Sequence, residues 1–263
     1  MNLLTLYFSG TGNTRYIAKL FAKSMAAAHH SIEDAINFND EIARHDTIAL
    51  CYPIYGSRAP LAMRQFITRH KQALAGKKLI ILVTQTFFSG DGARSLMDLL
   101  PTNHATVIYA EHFSMPNNVS NIFFLRPISE RKKKNYVRRA KIKMATVCRD
   151  IKEGNIKRRG FNAFSELIGK VQGIPWQGSS RKCAAPKHSM EYRAKNSVNI
   201  SAGCTQCGIC VACCPMSNFA SVNGTIVPQD NCTVCYRCIN RCPQKAISVW
   251  FTQRPKWQYR GPK

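Results

Sequence analysis

The chain has 263 residues, 45% of them hydrophobic, which suffices for one large or two modest folded domains and argues against wholesale disorder. It carries 38 Lys and Arg against 14 Asp and Glu, a net charge of +24. More than half of that excess lies in residues 129–200, with 19 basic and 5 acidic side chains.

No run reaches the ~18 apolar residues of a membrane-spanning helix. Met1-Asn2-Leu3-Leu4 has no basic flank and reads as the start of a strand, not as a secretion signal. With no export signal, the twelve cysteines point to metal ligation in a reducing cytoplasm, not to disulfides.

The first ~125 residues alternate apolar runs with helical patterns, as a parallel α/β sheet does. Leu3 to Phe8 is a near-continuous apolar strand, and Ile17, Leu20, Phe21 and Met25 then line one face of a helix. Ser31 to Phe38 is expected as the second strand and Thr47 to Tyr52 as the third, stopped by Pro53. A helix is expected to begin near Pro60, since proline suits a first helical turn. Lys78 to Thr84 and Thr106 to Phe113 complete five strands. Residues 129–153 form a long basic helix, and 154–200 read as a linker or a partly helical wrap. Residues 201–250 are cysteine-rich, and 251–263 form a tail that packs across a neighbouring surface.

Ser9, Gly10, Thr11, Gly12, Asn13 and Thr14 lie between a strand and a helix N-terminus, where free N–H groups and the helix dipole favour an anion. The loop has no Gly-Lys-Ser/Thr of a nucleotide-hydrolysing phosphate loop and lacks the third glycine of a dinucleotide fingerprint. Hydroxyls without a lysine suit a terminal phosphate.

The C-terminal quarter holds Cys204-x2-Cys207-x2-Cys210-x3-Cys214-Pro215 and Cys232-x2-Cys235-x2-Cys238-x3-Cys242-Pro243. Short gaps let three thiolates of each copy converge on one [4Fe–4S] cubane. A pair of four-cysteine zinc sites is the alternative reading, weakened by how tightly the cysteines are strung. Cys213 competes with Cys214, but the proline and the second copy both favour Cys214. Cys51, Cys148 and Cys183 lie outside the motifs and read as small buried thiols.

The N-terminal segment resembles flavodoxins, whose FMN phosphate sits in a Ser/Thr-x-Thr-Gly-x-Thr loop matched here by Ser9, Thr11, Gly12 and Thr14. That resemblance implies a doubly wound five-stranded parallel sheet over residues 1–153. It also implies that the loops after the third and fourth strands flank the flavin: Pro53, Ile54, Tyr55 and Gly56 on one side, and Thr86, Phe87, Phe88, Gly90, Asp91 and Gly92 on the other. The cysteine repeat resembles bacterial two-cluster ferredoxins, in which the fourth cysteine of each motif serves the other cluster. This implies a small α+β domain with Cys204, Cys207, Cys210 and Cys242 on one cluster and Cys232, Cys235, Cys238 and Cys214 on the other. The order of parts resembles the flavodoxin–ferredoxin fusion proteins of anaerobic microbes.

The resemblance implies electron transfer between FMN, two [4Fe–4S] clusters and an external redox partner. A reductase feeding a small substrate through its clusters is the alternative, kept in view by Arg58 and Arg94 beside the flavin loops. No nucleophile and no His–carboxylate base pair is evident, so no catalytic residue is assigned. The run Arg131, Lys132, Lys133, Lys134, Arg138, Arg139, Lys141 and Lys143 reads first as a dock for an acidic protein, with nucleic acid disfavoured and peripheral lipid contact left open.

Overall fold

The computed structural model describes residues 1–86, 88–100, 105–120, 127–178, 186–250 and 254–262. Phe87 and Cys183 lie outside them. In chain order the first half runs β1 (Leu3–Tyr7), α1 (Asn13–Met25), β2 (Ala28–Ser31), α2 (Phe38–Ala43), β3 (Thr47–Pro53), α3 (Leu61–Arg69), β4 (Lys78–Gln85) and β5 (Thr106–Ser114). There follow α4 (Glu130–Lys152), β6 (Lys157–Arg158), α5 (Ala163–Gln177) and α6 (Met190–Lys195). The C-terminal part holds β7 (Asn199–Ile200), α7 (Ile209–Cys213), β8 (Phe219–Val222), β9 (Thr225–Pro228), α8 (Arg237–Arg241) and β10 (Ile247–Ser248).

β1 to β6 make one parallel sheet in the order β2-β1-β3-β4-β5-β6. A parallel sheet covered on both faces needs strands that are apolar on both, and β4 shows the division. Leu79, Ile81 and Val83 pack with Phe38 and Ile42 of α2 and Met63, Phe66 and Ile67 of α3. Ile80 and Leu82 face the opposite way, against Ile17 and Phe21 of α1 and Met144, Val147 and Ile151 of α4. The winding direction reverses between β1 and β3, so the loops leaving these two strands open a crevice at their carboxyl ends.

Two expectations are corrected. The second strand is Ala28–Ser31, not Ser31 to Phe38. Asn37 caps α2 instead, its side chain accepting from the Asn39 and Asp40 amides, and Phe38 belongs to that helix. The sheet also has six strands, not five, because Lys157 and Arg158 pair in parallel with Tyr109 and Ala110. A two-residue, doubly charged strand suits an edge, where it discourages further pairing. α4 accounts for the long basic helix. It buries Ala140, Met144, Val147, Cys148 and Ile151 and turns most of its lysines and arginines outward, whereas Lys143 reaches in to the buried Glu111 at 3.0 Å.

In the C-terminal part, β8 and β9 form an antiparallel hairpin and β7 pairs with β10. Its core includes Phe219, Ile226, Ile239 and Ile247. Met216 and Cys235, by contrast, pack into the core cluster of the parallel-sheet domain, so the two parts share an apolar contact.

Candidate cofactor and cysteine sites

The loop from Ser9 to Thr14 leaves β1 and turns into α1 through Gly12, whose φ of 109° is open to glycine. The Gly12 amide donates to Ser9 Oγ at 3.1 Å, and Thr14 Oγ1 lies 2.7 Å from Thr84 Oγ1 at the end of β4. Asn13 Nδ2 donates to the Pro116 carbonyl at 2.8 Å. After β3, Tyr55 and Arg58 exchange backbone hydrogen bonds of 2.9 and 3.0 Å around a tight turn. Gly56 at its apex touches Trp176, and a Cβ there would sit 2.5 Å from that side chain.

These loops enclose a cleft of about 360 Å³, within the usual size of a small-molecule site. Ser9, Gly10, Thr11, Asn13, Thr14, Pro53, Ile54, Tyr55, Gly56 and Thr86 line it. So do residues that no local pattern marked: Thr84, Asn117, Asn118, Trp176, Met190, Val234, Tyr236 and Trp250. Trp176 and Trp250 stack at 5.9 Å between ring centroids, closing one wall. Tyr55 Oη is buried and has no protein partner, a polar group in want of a ligand.

The second expected flavin loop is placed differently. Phe88, Gly90, Asp91 and Gly92 do not line the cleft, and Phe88 is 46% exposed. Asp91 is fully buried and pairs with Arg58 at 3.4 Å, while Gly90 lies against Gly169 of α5. The Arg58 guanidinium also donates to the Gly169 and Ser57 carbonyls. It is neither in solvent nor a bare cation beside the cleft. Arg94 pairs with Glu166 at 2.6 Å.

The eight motif cysteines surround two small cavities. Cys204, Cys207, Cys210 and Cys242 line one, with Ile200, Ile209, Ile226 and Ile247. Cys214, Cys232, Cys235 and Cys238 line the other. Each cavity thus draws three cysteines from one motif and the last from the other. The backbone repeats with the motifs. Gln206 and Val234 have φ of 56° and 57°, Gly208 and Tyr236 73° and 61°, and Ser217 and Lys245 48° and 50°. A β-branched residue in the left-handed region is a true outlier, costing on the order of 1–3 kcal/mol and typical of ligand-clamping segments.

Three sulfurs accept backbone amides: Cys214 from Asn218 at 3.2 Å, Cys232 from Val234 at 3.2 Å and Cys242 from Ala246 at 3.3 Å. Burial pushes the Cys232 thiol up to about 12 and those of Cys210 and Cys235 to about 11. Among the described residues no three His, Cys, Asp or Glu side chains are placed to share one metal ion. Cys213 lines neither cavity and directs its thiol to the Cys210 carbonyl at 3.9 Å.

The second cysteine segment sits on the phosphate loop. A Cβ on Gly10 would lie 2.4 Å from the Cys235 carbonyl oxygen. Arg237 donates to the carbonyls of Ser9 at 2.7 Å, Gly10 at 3.1 Å and Cys213 at 3.0 Å, and binds both Glu33 oxygens at 2.6 Å. The tail crosses the same place. Tyr259 Oη donates to Asn13 Oδ1 at 2.5 Å, and Gly261 packs against Thr11 and Gly12.

A doubly wound sheet with a hydroxyl-lined, lysine-free anion loop and a cleft at its switch point defines an α/β domain that holds a phosphorylated cofactor. The flavodoxin domain model matches residues 4–146, over half of the chain, and the chain belongs to that family, carrying a flavodoxin-like FMN-binding domain. Among solved structures it is similar to the two-electron-reduced flavodoxin of Megasphaera elsdenii, at 26% identity over 42% of this chain and 84% of that one, with a TM-score of 0.36. It is also similar to oxidised flavodoxin 2 of Bacillus cereus (20% identity, 56% and 99% of the two chains, TM-score 0.36). A Lactobacillus acidophilus flavoprotein in complex with FMN is similar at 13% identity, over 42% and 92%, with a TM-score of 0.35. No curated protein matches the chain in sequence. Among the described residues no helix is long and apolar enough to cross a membrane.

Proposed function

We propose that the chain is a cytoplasmic electron-transfer protein that relays electrons between FMN, two [4Fe–4S] clusters and an external, acidic redox protein. FMN exchanges electrons singly or in pairs and each cluster exchanges one, so the combination couples a pair donor or acceptor to single-electron carriers.

The observation that carries the reading is the crossed division of the eight cysteines between two cavities, with one set packed on the phosphate loop. The cysteines, their donated N–H groups and the matched left-handed residues fit iron–sulfur ligation. Turns of this kind gather N–H groups into anion-binding nests, and amides on the sulfurs stabilise the bound thiolates. Iron binds thiolates, so filling these cavities would release protons from the cysteines.

For FMN, the Ser9–Thr14 loop would take the phosphate and Tyr55 would supply a hydroxyl or ring wall. Trp176, Tyr236 and Trp250 would screen the ring system from water. The contact of Gly10 with Cys235 makes the cavity of Cys214, Cys232, Cys235 and Cys238 the nearer of the two to the FMN loop. The exposed basic face of α4 supplies the field that would draw in an acidic partner. Arg58 and Arg94, which kept a reductase in view, are engaged by Asp91 and Glu166, so that alternative is not pursued.

Low-temperature electron paramagnetic resonance of the anaerobically purified, reduced chain tests the proposal. Two mutually coupled cluster signals are expected. A flavin radical signal with no iron–sulfur signal at any potential would overturn it.

A further inference from the structure

α5 is turned inside out. The side it lays on the molecule consists of Ser165, Gly169, Gly173 and Gln177, all buried. Phe164, Leu167, Val171 and Ile174 are 66%, 59%, 66% and 47% exposed, and their spacing puts them on one outer stripe. The small inner residues have a cause. A Cβ on Gly169 would lie 1.7 Å from Asp91 Oδ1, and one on Gly173 2.2 Å from Arg58 Cζ, so the buried ion pair leaves no room for larger groups.

Among the described residues none buries this outer stripe, which on a solvated helix is normally charged. Phe88 extends it, its ring 6.4 Å from that of Phe164. Basic residues lead into the helix: Lys157 and Arg159, on and beside the edge strand, share the buried Glu111 at 3.3 and 3.2 Å yet stay half exposed, and Lys170 lies on the helix itself. Glu166 is the only acid between residues 156 and 178, and it is paired with Arg94 and Lys170.

We propose that this face docks the protein on an anionic lipid bilayer, with α5 lying in the interfacial plane. Aromatic and aliphatic side chains on one face with basic residues nearby are what such a surface selects. A second copy of the chain suits the face less well. Five side chains fall far short of the roughly 20–30 residues a side of a stable dimer, and two copies would bring like charges together. The proposal stands on α5 and the residues beside it and is independent of the FMN and cluster reading.

Sedimentation of the full holo-chain with vesicles provides the test. Phosphatidylcholine vesicles containing about one-third phosphatidylglycerol should bind it at least about tenfold more tightly than phosphatidylcholine alone, and salt should weaken the binding. A double variant, Leu167→Glu with Val171→Glu, should lose about tenfold or more in affinity while keeping its thermal transition, since both side chains are solvent-facing. No binding to the anionic vesicles at low salt, or equal binding by the variant, would overturn the proposal. So would a concentration-dependent dimer, or capture of a soluble acidic protein, that depends on these residues while vesicles are ignored.

Discussion

Replacing Arg237 by alanine would separate the phosphate loop from the cysteine segment. The guanidinium is only 13% exposed and reaches three carbonyls and a carboxylate. Burial works against its charge, but the Glu33 hydrogen bond and the charges around it hold it protonated. Glu33 is 28% exposed, so that ion pair contributes little, about 0–1 kcal/mol. The carbonyls of Ser9, Gly10 and Cys213 matter more, since a bond from a charged donor contributes about 1.5 kcal/mol or more. Water entering the vacated space recovers part of this, leaving a loss of about 3 kcal/mol. In a chain of this size each kcal/mol moves the melting temperature by about 2–4 °C, so a fall of roughly 6–12 °C is expected by differential scanning calorimetry of the holo-chain. FMN affinity should fall with it, because two of the three carbonyls belong to the loop. An Arg237→Ala chain melting within about 2 °C of the parent, with FMN affinity unchanged, would refute the reasoning.

Arg64 binds both Glu191 oxygens, at 2.8 and 2.9 Å, with side-chain exposures of 1% and 4%. Arg64→Met should cost about 3–5 kcal/mol in chemical denaturation, and adding Glu191→Leu should recover most of it. His112 is driven by burial from 6.5 down to about 4. The unfolded chain therefore takes the proton first, so stability is full above pH 6.5 and falls by up to roughly 3 kcal/mol as pH drops to 4. His112→Gln should flatten thermal stability across that window. Glu111 contributes lower down. Burial raises it, but the His112 amide and Lys143 bring it below its usual 4.5, so its share is lost only beneath that pH. Cys214→Ser should strip or convert the cluster served by Cys232, Cys235 and Cys238 and spare the other, whereas Cys213→Ser should leave the iron content unchanged.

What could be read in advance follows from how local each cause is. β1, β3 and β4 are apolar on both faces because helices cover both, and such runs are visible without a partner. β2 is Ala28-His29-His30-Ser31 at a half-exposed position beside β1, with no apolar signature, so no local pattern marks its place. β6 is two charged residues whose pairing depends on the path of α4. The Ser9–Thr14 loop and both cysteine motifs declare themselves because their chemistry needs adjacent residues. The cleft wall does not. Trp176 and Trp250 meet across 74 residues of sequence, and no periodicity marks either. Asp91 looked like a flavin neighbour from its loop, yet Arg58, 33 residues earlier, holds it beneath α5. The glycines at 169 and 173 were the one available sign of that close approach.

The central claim is that one chain carries a flavin and two cubanes, and composition of the anaerobically purified protein tests it most directly. Iron, acid-labile sulfide, FMN and zinc should be measured on the same sample. The account predicts about eight iron and eight sulfide for each FMN, with no zinc. Zinc in place of iron, iron near four per chain, or no bound flavin would contradict it.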